Sequence, residues 1–219
     1  MQIKIAPSLQ DADLTDLAGV VAELEAAGVD AIHVDVADGH FAPNLIFGPY
    51  LTAAAARCAS VPVGVHLMIT DPLTYAPHFI EAGAETVFFH VEAVADPLAV
   101  ARAIREHGAR VGVALKPDTA PEAAEAVVGA ADCLMAMTVQ PGFSGQGFME
   151  SACHKIPVLR RMFGSGIDVY VDGGIGPDTA GVAVRYGANV LVASSAVFRA
   201  DVPPAEAIER LRQAARAAG

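Results

Sequence analysis

Two histidines and two aspartates hold the most chemistry in this chain. His33 and Asp35 stand two residues apart in the β-branched run Ala31-Ile32-His33-Val34-Asp35-Val36. On a strand, that spacing points both side chains to one face. His66 closes a second apolar run, Val61 to Leu67, and Asp172 closes a third that starts at Ile167. Imidazoles and carboxylates where buried strands run out are costly to desolvate unless paired, metal-bound or set at an open mouth. Together His33, Asp35, His66 and Asp172 can make a closed set of N/O ligands for one divalent metal. Both carboxylates can still move protons. Such a set suits zinc, iron(II), cobalt or manganese better than magnesium, which prefers oxygen ligands and retained water.

Glycines supply a second constellation. Gln140-Pro141-Gly142-Phe143-Ser144-Gly145-Gln146-Gly147, Asp172-Gly173-Gly174-Ile175-Gly176 and Ala193-Ser194-Ser195 each follow an apolar run. Singly, each reads as an ordinary turn. Jointly, with Ser194-Ser195 opening a short helical turn, they read as a phosphate cradle, because glycine lets backbone amides approach an anion closely. Other candidates stand alone. His40, His78, His107 and His154 fall in loops or helices and are expected to be solvated. His90 ends a strand run and either reaches the same mouth or serves the structure. Lys116 raises the option of a Schiff base, although Pro117-Asp118 after it reads as a plain loop. Met68 and Met137, close to strand ends, can roof an apolar pocket.

The elements that must position these groups follow from hydrophobic period. Short apolar runs near 3–7, 31–36, 62–67, 86–90, 110–115, 133–138, 167–171 and 189–193 alternate with amphipathic Ala-rich stretches. Helices are expected near 12–27, 47–58, 72–82, 95–107, 120–130, 150–163, 178–186 and 203–217. Asp71-Pro72, Asp96-Pro97, Pro121-Glu122 and Pro177-Asp178 open helices, while Gly28, Gly83, Gly108 and Gly187 close them. Eight βα units without a long gap predict an α/β fold, a closed (β/α)8 TIM barrel formed by a single domain over 1–219. The competing layout is a doubly wound open sheet. A barrel places its active groups at the C-terminal strand ends. Ser8, His33 and Asp35, His66 and Met68, His90, Lys116, Thr138, Asp172 and Ser194-Ser195 all fall there.

Bulk properties narrow the partners. The 219 residues are 53% hydrophobic, with a mean hydropathy of +0.42, yet no apolar run approaches the roughly 18–20 residues that cross a bilayer. The start, Met1 to Ser8, reads as a strand and not as a secretion signal. Cys58, Cys133 and Cys153 lack metal-motif spacing, and their odd number suits a reducing compartment, so a cytoplasmic location is expected. A net charge of −11 argues against nucleic acid and anionic membranes as partners. It leaves room for a small phosphorylated substrate held by backbone amides.

These motifs resemble one known family. The segments 33–44 (His-Val-Asp-Val-Ala-Asp-Gly-His-Phe-Ala-Pro-Asn), 66–69 (His-Leu-Met-Ile), 137–146 (Met-Thr-Val-Gln-Pro-Gly-Phe-Ser-Gly-Gln) and 171–175 (Val-Asp-Gly-Gly-Ile) are similar to signatures of the ribulose-phosphate 3-epimerases. The likeness runs from Ser8 to Phe198. It implies a ribulose-phosphate-binding barrel with one metal held at His33, Asp35, His66 and Asp172. It further implies that Asp35 and Asp172 are the acid/base pair and that a phosphorylated ketose is the substrate. Contacts with that substrate are implied at Ser8, His66, Gly142, Phe143, Ser144, Gly145, Asp172, Gly173, Gly174, Ser194 and Ser195. The expected reaction is inversion at C3 of D-ribulose 5-phosphate to D-xylulose 5-phosphate, a step of the pentose phosphate pathway, in a homo-oligomer.

This chain departs from the family at Ala37, where Met is usual, at Ser144 and Ser194, where Gly is usual, and at Gln140, where Asn or Glu is usual. None removes a ligand or proton carrier. A wider mouth at Ala37 would suit a longer ketose phosphate, an allulose 6-phosphate or heptulose 7-phosphate. Two rival functions compete with epimerisation: a Lys116 aldolase or decarboxylase, and a non-catalytic sugar-phosphate-binding barrel.

Overall fold

The computed structural model describes residues 2–218. Its nine strands are β1 (Lys4–Pro7), β2 (Ile32–Asp38), β3 (Leu45–Ile46), β4 (Val63–Met68), β5 (Thr86–His90), β6 (Arg110–Leu115), β7 (Cys133–Met137), β8 (Asp168–Asp172) and β9 (Val190–Ala193). They form one sheet in the order β1-β9-β8-β7-β6-β5-β4-β2-β3. All neighbours pair in parallel except β3, which returns antiparallel on the end of β2. The sheet closes between β1 and β2. Ser8 bridges His33 in parallel register, and the Asp30 N–H donates to the Ile5 carbonyl at 2.9 Å. Eight parallel strands therefore make a closed barrel, and the open-sheet layout is excluded.

The surrounding helices are α1 (Leu17–Ala26), α2 (Pro49–Cys58), α3 (Pro72–Glu81), α4 (Pro97–Glu106), α5 (Ile156–Phe163), α6 (Pro177–Arg185), α7 (Ser195–Phe198) and α8 (Pro204–Arg216). The aspartate-proline starts act as expected. Asp71 accepts from the Thr74 N–H, and Asp96 accepts from those of Leu98 and Ala99, relieving donors that the first turn leaves unpaired.

Three expected helices are corrected. The stretch 12–27 begins its α-helix only at Leu17, after two 3-10 turns, Leu9–Asp11 and Leu14–Asp16. The stretch 120–130 is a 3-10 segment, Pro121–Val127, burying Ala124 and Val127 three residues apart, the repeat of a three-residue turn. The stretch 150–163 divides into a 3-10 segment, Glu150–Lys155, and α5. Pro157 has no N–H to give the Cys153 carbonyl, which accepts from Ile156 instead.

Alternation along the strands builds two cores. Outward residues such as Val34, Val65, Val87, Phe89 and Val113 pack beneath the helices. Inward residues, among them Ala6, Phe88, Met135, Tyr170 and Val192, fill the barrel. Phe88 needs the space left by its register partner Gly112, where an added Cβ would lie 2.3 Å from the ring. The Phe88 ring then supports His33 from below, with centroids 6.1 Å apart, and meets Tyr170 edge-on at 4.7 Å. Among the described residues, no helix is long and apolar enough to cross a membrane.

Candidate active site and metal centre

Four side chains converge above Phe88. His33 and Asp35 project inward from β2, His66 from β4 and Asp172 from the end of β8. One donor atom from each lies within 4.8 Å of all the others. His66 Nδ1 is 3.0 Å from Asp35 Oδ1 and 3.4 Å from Asp172 Oδ2, while His33 Nε2 lies 3.5 Å from Asp35 Oδ1. His33, Asp35 and His66 are buried, and the Asp172 side chain is 14% exposed at the open side. Ser8 donates from Oγ to Asp35 Oδ2 at 2.5 Å, fixing that carboxylate.

The donor set fits a divalent cation. His33 Nε2 is buried and has no hydrogen-bond partner, an arrangement that costs free energy unless something fills the space it faces. Two imidazole nitrogens and two carboxylates within that span match borderline transition-metal chemistry. Electrostatics agree. Burial opposes a charge on Asp35, yet the attraction of the His33 and His66 imidazoles wins and holds its carboxyl well below the usual range. Burial likewise opposes a proton on His66, but its contacts with Asp172 and Asp35 outweigh that and raise it to about 9. The pocket thus concentrates negative charge around His66, as a cation site requires.

A shell behind the ligands was only partly visible in the sequence. His90, wholly buried, places Nε2 2.9 Å from His66 Nε2. Its Nδ1 lies 3.0 Å from Glu92 Oε2, and Glu92 Oε1 accepts from the Lys116 N–H at 2.7 Å. Burial and the nearby His66 push His90 down to about 4. Glu92 was missed; its spacing of two from His90 was the available signal. His40, His78, His107 and His154 are exposed. Lys116 places Nζ 3.8 Å from the centre of the Phe41 ring and does not line the cleft, so nothing here favours a Schiff base.

Over this cluster opens a cleft. Asp35 and Asp172 form part of its floor, and Met68 and Met137 line it. Ser8, Gly142, Phe143, Ser144, Gly145, Gly173, Gly174, Ser194 and Ser195 line it too, while His33 and His66 do not. Met68 and Met137 are strand-end wall residues. Two glycines are sterically obligatory. Gly173 (φ +113) would put a Cβ 2.3 Å from Val139 Cγ2, and Gly174 (φ +65) would put one 2.7 Å from the Phe148 backbone nitrogen. Thr138 Oγ1 donates to the Gly173 carbonyl at 2.6 Å, pinning the turn. Ala37 does not line the cleft. It packs with Ala42, Ile46 and Met68 and borders a separate hollow with Phe47, Tyr75 and Phe79, so the smaller side chain does not widen this cleft. Gln140 donates to Asp118 at 2.9 Å, outside the cleft.

Comparison with known proteins decides the family. The model of the ribulose-phosphate 3 epimerase family matches residues 4–198. The chain belongs to the ribulose-phosphate 3-epimerase family. It is 42% identical over 217 residues to the ribulose-phosphate 3-epimerase of Mycobacterium tuberculosis (strain H37Rv), covering 98% of this chain and 93% of that one. It is 40% identical over 200 residues to that of Bacillus subtilis (strain 168), covering 90% and 92%. Among solved structures, KGPDC from Streptococcus mutans superposes with a TM-score of 0.73 at 17% identity, covering 99% of each chain. At that identity the likeness speaks for the barrel alone. Family membership makes this an epimerase-type barrel with a His/Asp cluster able to hold a metal.

Proposed function

We propose that this ribulose-phosphate 3-epimerase family member interconverts D-ribulose 5-phosphate and D-xylulose 5-phosphate, with Asp35 and Asp172 as its two proton carriers. The observation that carries this reading is the placement of both carboxylates on the floor of one cleft, from strands well separated around the barrel. On one side β9 and β1 stand between β8 and β2; on the other stand β4 to β7. Carboxylates approaching from different sides suit inversion, because a planar enediolate must lose a proton from one face and gain one on the other.

The residues divide the work. Asp35, ionised by its histidine neighbours and braced by Ser8, takes the C3 proton in one direction. Asp172, at the open side of the cluster, delivers a proton to the opposite face, and the roles exchange in reverse. His33, Asp35, His66 and Asp172 would hold one divalent cation, zinc, iron, manganese or cobalt, which when bound stabilises charge developing on the substrate's carbonyl oxygen. The turns at 142–145, 173–174 and 194–195 offer the phosphate backbone amides, and anchoring that end orients the reacting carbon.

The test is incubation with D-ribulose 5-phosphate in deuterated water, followed by NMR. Conversion to the xylulose epimer with deuterium at C3 supports the reading. A panel including allulose 6-phosphate, heptulose 7-phosphate and unphosphorylated ketoses reports substrate choice, and equal use of the unphosphorylated sugars removes the cradle assignment. Chelation should abolish turnover and metal add-back restore it.

A further inference from the structure

Three residues from two other loops, Ser144 after β7 and Ser194 and Arg199 after β9, converge on Asp11, behind the wall of the cleft. Asp11 ends the 3-10 turn after β1. Its Oδ1 accepts from Ser144 Oγ at 2.8 Å and from the Arg199 guanidinium. The same guanidinium donates to Ser144 Oγ at 3.2 Å. The Asp11 N–H donates to Ser194 Oγ at 3.1 Å, and Ser194 Oγ in turn donates to the Ser8 carbonyl at 3.0 Å. Ser144 and Ser194 are the two positions where this chain carries hydroxyls in place of the usual glycines, and both hydroxyls are engaged with Asp11.

The charges are unevenly placed. The Asp11 side chain is 2% exposed and Arg199 is 63% exposed. Asp11 Oδ2 is buried without a hydrogen-bond partner. No Lys or Arg lines the cleft among the described residues, so Arg199 is the cation that faces this buried carboxylate. It also directly follows α7, whose first residue, Ser195, lines the cleft with Ser194. A buried anion beside a site for a phosphate dianion repels it unless neutralised, and at partly buried positions such repulsion is poorly screened.

We propose that the Asp11–Arg199 pair is a neutralising clasp that sets the affinity of this chain for the phosphate end of its substrate. It ties the turns after β1, β7 and β9 into one cradle through Ser144 and Ser194. This rests on the phosphate cradle assigned under the proposed function. Arg199 is a positioning residue: it acts through Asp11 and the loops and need not touch the phosphate.

A double-mutant cycle separates this from a direct or merely structural role. Arg199→Ala strips Asp11 of its counter-charge and should raise KM for D-ribulose 5-phosphate about tenfold or more, with kcat within about twofold of wild type. Asp11→Asn leaves Arg199 free and should give a KM at or below that of wild type. The Asp11→Asn/Arg199→Ala protein, uncharged at both positions, should recover most of the affinity lost in Arg199→Ala. Competitive inhibition by inorganic phosphate should weaken and recover in parallel. Thermal unfolding of each variant accounts for any loss of folded protein. An unchanged KM in Arg199→Ala overturns the clasp, as does a double variant no better than the single. If the wild type fails to epimerise ribulose phosphate, the functional reading fails instead, and calorimetric binding of inorganic phosphate across the same four proteins still decides the clasp.

Discussion

His66 Nε2 and His90 Nε2 lie 2.9 Å apart, and this contact fixes which nitrogen of His66 faces the metal cluster. Glu92, held ionised at about 2, can only accept, so His90 Nδ1 donates to it at 3.0 Å. His90 Nε2 is then an acceptor, and the proton between the two rings belongs to His66. The His66 Nδ1 atom is therefore the one presented to Asp35, Asp172 and a cation. Glu92 and His90 orient a ligand without touching the metal.

Replacing Glu92 by Gln should loosen that chain. The expected effect is a roughly 10- to 100-fold weaker affinity for the divalent ion, typical of losing a partner of a ligating imidazole. Competition with a chromophoric chelator measures it without reference to activity. An unaltered dissociation constant would show that His66 needs no such support. Because Glu92 lies at the margin of the core, with a side chain 19% exposed, the variant should fold.

Gly173 and Gly174 give a second prediction. Alanine at 173 must adopt φ near +113 and drive its Cβ into Val139. Positive φ alone costs about 1–3 kcal/mol for a side chain, and the clash adds to it. Gly173→Ala should lower the melting temperature and reduce kcat/KM for phosphorylated ketoses by more than tenfold, since the turn moves both the cradle and Asp172 beside it. Wild-type kinetics in a folded Gly173→Ala protein would show that this turn holds no substrate.

How far the sequence foretold these features depends on how local their causes are. His33, Asp35 and His66 were legible because a period of two on a strand and a strand's C-terminal end are local facts, and barrel closure turned them toward one point. Asp71 and Asp96 were legible for the same reason, as each caps the helix beside it. Pro121–Val127 was misread because Ala-rich patterning suits α and 3-10 turns alike, and tertiary packing of Ala124 and Val127 chose between them. The strand Leu45–Ile46 was missed because two residues hold no period, and its pairing with Ala37 and Asp38 is made across a loop. Asp11 was invisible: its partners are Ser144 and Arg199, 133 and 188 residues away. Ala37 shows a different error, since a missing thioether suggested a wider cleft, whereas Ala37 packs on Ala42 and Ile46 and borders a neighbouring hollow instead.

Asp38 makes stability depend on pH. Its carboxylate accepts from the N–H groups of His40, Phe41 and Thr70 and from the Thr70 hydroxyl. Burial works against the charge, but these donors prevail and lower the group from 3.8 to about 2. A depressed carboxylate stabilises the fold above its unfolded value and loses that contribution as pH falls through its folded value. The stabilisation is therefore complete above about pH 4–5 and gone below about pH 2. Asp38→Asn should destabilise the protein by about 1–2 kcal/mol at neutral pH, after discounting for partial exposure, and by almost nothing at pH 2. Denaturant melts at pH 7 and at low pH measure the difference. Equal losses at both would mean that packing, not charge, accounts for the effect.

Asp35 and Asp172 permit the sharpest test of the two-carrier scheme, because their removal should uncouple exchange from inversion. In Asp172→Asn, Asp35 can still take the C3 proton of one epimer and return a deuteron to the same face. That epimer should acquire deuterium at C3 in heavy water while forming no partner epimer. Asp35→Asn should show the mirror pattern, starting from the other epimer. Overall epimerisation should fall by at least about 10² in each, the usual weight of one acid/base group. Both residues also belong to the donor cluster, so metal content is measured on the same samples to separate loss of a ligand from loss of a base. Inversion that persists at near wild-type rate in a metal-loaded Asp172→Asn protein would eliminate Asp172 as a proton carrier. Exchange that proceeds equally from both epimers in one variant would assign both faces to a single base.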